Sequence, residues 1–248
     1  MFSFKYNNNY YELDFNGIKI IETHFTTNFI KQIFGDQENK CNIDGKVYSF
    51  KNIIYINELT KINDYLSLSR NGYIYKKIID KLNDSLLINQ ELINKIIDEI
   101  NQEFENDILL PTLDMNRLIN SIFDLNDLGF ISDQSFFYIL NKIEFGEKKL
   151  IVFDNCKFAT YNSCKMLLNN FNILIITSDI RNCINNYKEL EICCFINNKV
   201  FEIINLEKLV SYLEYKMSEP ITEKDLNSYI NFGNSKKDTS INFYLKDL

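Results

Sequence analysis

The chain has 248 residues, 46% of them apolar, with 20 Phe, 15 Tyr and a formal net charge of −7. That composition fills one large core or two modest ones and excludes a disordered chain, while the acidic balance excludes a general nucleic-acid coat. No charged-then-apolar leader opens it and no apolar run is long enough to cross a bilayer, so a cytoplasmic protein with no membrane partner is expected.

In chain order, strands are predicted at Phe2–Tyr6 and Tyr10–Phe15 around an Asn7–Asn9 turn, and Asn16-Gly17 signals a hairpin leading into Ile18–Ile21. Phe25, Phe29, Ile30, Ile33 and Phe34 share one helical face, with Gly35 placed to end that helix. Asp44-Gly45 marks a second hairpin between Cys41–Ile43 and Lys46–Phe50, and Ile53–Ile56 follows as a fully buried strand. From Tyr73 to Ile100 the apolar positions keep a helical period, broken near Ser85–Gln90, and the pattern runs through Phe104 to stop at Pro111. Asp114 is placed to cap a further helix with Leu118, Ile119, Ile122 and Phe123 inward; Ser132 with Ser135–Leu140 gives a last short one.

Lys149–Phe153, a helix near Thr160–Asn169 and Ile173–Thr177 then form a strand–helix–strand crossover with parallel strands. Ile192–Ile196 and Val200–Ile204 make a closing hairpin. An amphipathic helix over Leu206–Met217, Pro220, a second helix started by Thr222 and Asp225, and a polar tail complete the chain.

Six cysteines at 41, 156, 164, 183, 193 and 194 form no C-x-x-C pair, and the only histidine is His24, so a zinc site is not expected. Residues 1–66 and 148–248 are close to neutral, while 67–147 carry 7 basic against 14 acidic groups. The strand at 149–154 ends in Asp154, a carboxylate that would hold magnesium in a nucleotide hydrolase, yet no G-x-x-x-x-G-K-[ST] loop precedes it. Without that loop Asp154 reads as a turn or capping residue. Asp179 and Arg181 end the neighbouring strand, and Arg181 is a candidate subunit or interdomain contact. An α/β core of this kind without hydrolytic equipment holds something and does not cut it. The enzyme alternative is a divergent metal-dependent nucleotide hydrolase or nuclease using Asp154, Asp179 and nearby carboxylates; a helical scaffold binding only protein is a third reading.

The strings NGIKIIETHFTTNFIKQIF, NIDGKVYSFKNIIYINEL, SIFDLNDLGF and KKLIVFDNCKFATYNSC with FNILIITSDIR, in that succession over residues 4–204, resemble the Csn-two family, the adaptation protein of type II-A CRISPR systems. The resemblance implies an α/β, nucleotide-hydrolase-like head (1–66 and 148–204) without activity, an inserted α-helical leg (67–147) and a C-terminal helical extension (205–248). It further implies a homotetrameric ring that takes double-stranded DNA by its free ends, supports spacer acquisition with the CRISPR integrase pair and effector nuclease, and is held in shape by calcium. The carboxylates matching the family's metal site are Glu103, Glu105, Asp107 and Asp114. This chain departs from the pattern: Leu109-Leu110-Pro111-Thr112-Leu113 stands where relatives carry a nearly continuous acidic string, so a site here has fewer carboxylates and needs carbonyls or water to complete it. A solvated helix face is the alternative reading. The cations expected on the DNA path are Lys40, Lys46, Lys51, Lys61, Arg70, Lys148 and Lys149, contacting backbone phosphates without reading sequence.

Overall fold

This computed structural model describes residues 1–35, 41–66, 68, 72–83, 90–103, 115–125, 128–131, 135–143, 147–197 and 199–247. The chain divides into two compact units, one made of Met1–Thr60 with Ile131–Leu248 and the other of Lys61–Phe130.

Among the described residues the first unit is a mixed α/β structure with two sheets. Strands β1 (Phe2–Tyr6), β2 (Asn9–Leu13), β4 (Cys41–Ile43) and β5 (Lys46–Tyr48) form an antiparallel sheet in the order β2-β1-β4-β5. Strands β3 (Ile18–Thr23), β6 (Ile53–Ile56), β7 (Lys149–Asp154), β8 (Phe171–Thr177), β9 (Cys193–Ile196) and β10 (Val200–Glu202) form the other sheet, in the order β10-β9-β3-β8-β7-β6. All of its pairings are parallel except that of β10 with β9. Parallel strands are covered on both faces, which is why 150–153 and 173–176 read as unbroken apolar runs.

One face is covered by helix α1 (Thr26–Gly35) and the antiparallel sheet. Phe29, Ile30, Ile33 and Phe34 of α1 and Phe2, Phe4 and Tyr6 of β1 share a core with Leu150, Val152, Leu174 and Ile176. Phe4 and Tyr6 both meet Phe29 edge-on, at centroid distances of 5.6 and 5.2 Å. The alternate residues of β7 point the other way, as a period of two requires: Phe153 packs on Phe137 (5.7 Å) and Phe158 (6.1 Å).

The helices of this unit after α1 are α5 (Ser135–Lys142), the single turn α6 (Tyr161–Cys164), α7 (Leu206–Met217), α8 (Glu223–Ile230) and α9 (Lys236–Lys246). The second unit contributes α2 (Tyr73–Asn83), α3 (Gln90–Glu103) and α4 (Met115–Ile122), with a 3₁₀ turn over Ile62–Asp64. There the chain ends meet through a Lys61–Phe130 bridge and an Ile62 N–H to Gly129 carbonyl bond of 3.1 Å.

Several expectations need correcting. Asn16-Gly17 turns the chain, with Gly17 at φ +85°, but it passes from the antiparallel sheet into the parallel one and closes no hairpin. Asp44-Gly45 does close one, both residues having positive φ (50° and 86°), as a type I′ turn demands. Ile53–Ile56 is the edge strand of its sheet and only Ile56 is buried. Phe25 precedes α1 and is 72% exposed. On α4, Ile119 is buried while Ile122 and, just past the helix, Phe123 are exposed. The helix expected over 160–169 is one α turn followed by a 3₁₀ turn at Lys165–Leu167. The polar tail is a helix: Ser235 and Asp238 form a capping box, and α9 buries Ile241 and Leu245. Residues 104–114 lie outside the described residues, as do residues 85–89 and Ser132.

One charge lies inside the parallel sheet. Lys19, on the central strand β3, is 2% exposed and pairs with Glu202 of β10, whose carboxylate also accepts the Asp14 N–H at 3.0 Å. A buried pair gives little net stability, but breaking one strands a charge. Lys19→Met should therefore cost about 3–5 kcal/mol in urea unfolding, and the double variant Lys19→Met, Glu202→Met should recover most of that loss.

Candidate functional site

Two edges of the parallel sheet carry the groups of interest. At the carboxyl edge β3, β6, β7 and β8 deliver Glu22, Tyr55, Asp154 and Asp179. In a phosphate-binding fold, the turn after β3 would be a loop of about eight residues wrapping the phosphates. Here β3 ends at Thr23 and α1 starts at Thr26, leaving only His24 and Phe25 between them.

Asp154 is 6% exposed and is neither a turn nor a cap residue, correcting the sequence reading. Its Oδ2 accepts the Tyr55 hydroxyl at 2.6 Å and the Thr27 hydroxyl at 3.2 Å, while the buried Oδ1 has no hydrogen-bond partner. Burial and then the bond to Asp154 push the Tyr55 phenol up to about 12, keeping it a donor. The carboxylate is thus already engaged by the protein's own hydroxyls.

Asp179 and Arg181 pair with each other. Arg181 Nη2 lies 2.6 Å from Asp179 Oδ2, and Asp179 Oδ1 caps the 3₁₀ turn Ile180–Asn182 by accepting the Arg181 N–H at 3.0 Å. Burial pushes the Asp179 carboxyl up, but the Arg181 bonds outweigh it and leave the group below its ordinary value. The guanidinium also lies over the rings of Phe232 (4.5 Å) and Tyr229 (5.3 Å), which joins the end of β8 to α8 and the turn after it.

The amino edge is basic. The register Ile53↔Leu150 aligns the starts of β6 and β7, so Lys51 and Lys148, each two residues ahead of a paired position, lie at the same end of neighbouring strands. Lys149 opens β7, and Lys46 reaches this segment from the antiparallel sheet through a 2.8 Å bond to Glu147. That bond holds the Lys46 ammonium above and the Glu147 carboxyl below their usual ranges. Lys51 and Lys148 are exposed and make no ion pair among the described residues.

Of the remaining sequence-predicted cations, Lys61 lies in the second unit with its ammonium 5.7 Å from the Phe130 ring, and Lys40 and Arg70 lie outside the described residues. Of the four carboxylates assigned to calcium, Glu103 is exposed at the end of α3, while Glu105, Asp107 and Asp114 also lie outside them. Among the described residues no group of three or more His, Cys, Asp or Glu side chains is placed to hold a metal ion, and no helix is long and apolar enough to cross a membrane.

Sequence reasoning missed Glu22, a buried carboxylate inside the string IKIIETHF; its polar break in an apolar run was the available signal. Tyr55 and Thr27 were missed as partners of Asp154 because they lie 99 and 127 residues away in sequence.

The fold is similar to that of the crystal structure of Stu0660 of Streptococcus thermophilus, with a TM-score of 0.64 over 99% of this chain and 92% of that one, at 12% identity. At that identity the likeness is one of fold alone. The Walker-type ATPase PABY2304 of Pyrococcus abyssi aligns at a TM-score of 0.24 and 12% identity, over 93% of this chain and 63% of that one, too low to carry an argument. No family model matches the chain, and no curated protein matches it in sequence.

Because the Tyr55 hydroxyl is a donor to a buried carboxylate, Tyr55→Phe should lower stability by about 2 kcal/mol, read as a shift of the urea midpoint at unchanged slope.

Proposed function

We propose that this protein is a non-catalytic double-stranded DNA-binding protein of the Csn-two type. Its α/β unit is a nucleotide-hydrolase-like head and the 61–130 unit an inserted helical leg. Four copies close into a ring, free DNA ends enter it, and calcium at the leg carboxylates stabilises the assembly. In the cytoplasm it serves spacer acquisition with the CRISPR integrase pair and effector nuclease.

The observation that carries the DNA reading is the convergence of Lys46, Lys51, Lys148 and Lys149 at the amino edge, with Glu147 as the one carboxylate paired into the group among the described residues. An overall charge of −7 does not oppose this, because phosphate contact depends on local potential. Each subunit of a ring would present the same set, so the cations multiply around one hole, and each neutralised phosphate steepens the salt dependence. The two-residue turn after β3, together with the engagement of Asp154 by Tyr55 and Thr27, supports the absence of nucleotide turnover. The collinear resemblance over residues 4–204 supports the family assignment, and the whole-chain likeness to Stu0660 supports the fold.

In a mobility-shift titration the protein should bind linear duplex and bind covalently closed duplex far more weakly. Lys148→Glu with Lys149→Glu should weaken binding equally for unrelated sequences and lower the salt slope by about two for each subunit whose lysines contact the duplex. Unchanged affinity in that variant takes those lysines off the DNA path. Native mass should correspond to four chains and fall or spread on chelation of calcium. ATP or DNA turnover with magnesium or manganese that Asp154→Ala abolishes would instead establish the hydrolase or nuclease.

A further inference from the structure

At the carboxyl edge of the sheet the C-terminal helices reach the ends of β3 and β8, with Lys246 of α9 beside Glu22 and Tyr229 of α8 beside Arg181. Glu22 is 5% exposed at the end of β3, the strand on whose two sides β8 and β9 pair. Open α/β sheets take ligands in such a crevice, where the winding reverses. Here it is narrow. The Ile180 N–H donates to Glu22 Oε2 at 2.8 Å, and Lys246, in the last turn of α9, brings Nζ to 3.8 Å from Oε1. The Asn197 side-chain amide donates to the Lys246 carbonyl at 3.3 Å, tying the same turn to the end of β9. What is left is a small cleft open to solvent on one side, with about 10 Å³ of room for a water, lined by Glu22, Thr23, His24, Asn197 and Lys246 together with Phe195 and Ile196.

We infer that α9 is a pH-sensitive latch on this edge: its last turn shuts the buried Glu22 carboxyl away from water, and it lets go when that carboxyl ionises.

The groups that face Glu22 leave it poorly compensated. Asp179 and Arg181, after β8, neutralise each other. Tyr229 of α8 is fully buried with its hydroxyl unpartnered, Cys183 and Cys193 are buried thiols, and His24 lines the cavity from the turn after β3. Lys19, on the same strand, is committed to Glu202. Lys246 is therefore the cation left for Glu22 among the described residues, and at 3.8 Å with 30% exposure it offsets only part of the cost of burial.

Burial raises the Glu22 carboxyl from 4.5 to about 7, against the lowering by the Ile180 N–H and Lys246. The closed form therefore binds the proton more tightly than an open form in which the carboxyl is hydrated. The contribution to closure is complete below about 4.5, falls as pH rises, and is exhausted once pH has passed about 7. Between about pH 6 and pH 8 the opening equilibrium should rise about tenfold.

Hydrogen–deuterium exchange of the full chain, corrected for intrinsic rates, tests this. Protection of the Lys236–Lys246 amides should drop about tenfold from about pH 6 to pH 8, and Glu22→Gln should remove the dependence. Lys246→Met should leave protection at pH 6 nearly unchanged and loosen α9 further at pH 8. Protection independent of pH in the native chain, or the same dependence in Glu22→Gln, overturns the latch. Should Glu22→Gln fail to fold, Lys246→Met decides: equal protection loss at the two pH values overturns it as well.

Discussion

A parallel sheet has no face to give to water, and that constraint organises the first unit. Leu150, Val152, Leu174 and Ile176 present one apolar surface, which the antiparallel sheet and α1 cover with aromatic rings. Phe153 stands on the other, against Phe137 and Phe158. Because both faces are spent on packing, polar chemistry is confined to the two ends of the strands. The exception, Lys19 inside the sheet, is tolerated because Glu202 reaches it from the edge strand β10.

The two ends are chemically opposite. The carboxyl edge gathers Glu22, Asp154 and Asp179, each engaged from within the protein: by Lys246 and a backbone N–H, by two hydroxyls, and by Arg181. The amino edge gathers lysines, of which Lys51 and Lys148 are exposed. In α/β folds generally it is the carboxyl edge that meets ligands. The function proposed above makes the reverse assignment, in which the amino edge faces a polyanion.

Elements whose cause is local were legible in the sequence. Asp44-Gly45 needs only two residues able to take positive φ, and the capping box of Thr222 and Asp225 spans one turn. The apolar runs at 150–153 and 173–176 were legible too, because burial on both faces leaves its mark on every residue of the strand. What depends on distant partners was not legible. Asn16-Gly17 declares a turn without naming the strand that β3 will pair with, and Ile53–Ile56 has a central strand's composition at a sheet's edge. Helix α9 hides its apolar stripe, Ile241 and Leu245, in a polar stretch, although its Ser235–Asp238 box was there to be read. Among the site residues, the lysines could be named but their alignment could not, since it follows from the register between β6 and β7.

The six cysteines, spread over β4, the loop after β7, α6, the turn after Asn182 and β9, are all reduced and buried. Burial pushes every one of these thiols far above its ordinary value, to about 12 for Cys156 and Cys183, and a thiol that does not ionise does not react. The native particle should therefore react slowly with alkylating reagents, without any disulfide to protect it. Each sulfur becomes a clock for the opening of its own neighbourhood, so labelling rates compared along the chain would rank the order in which the layers come apart.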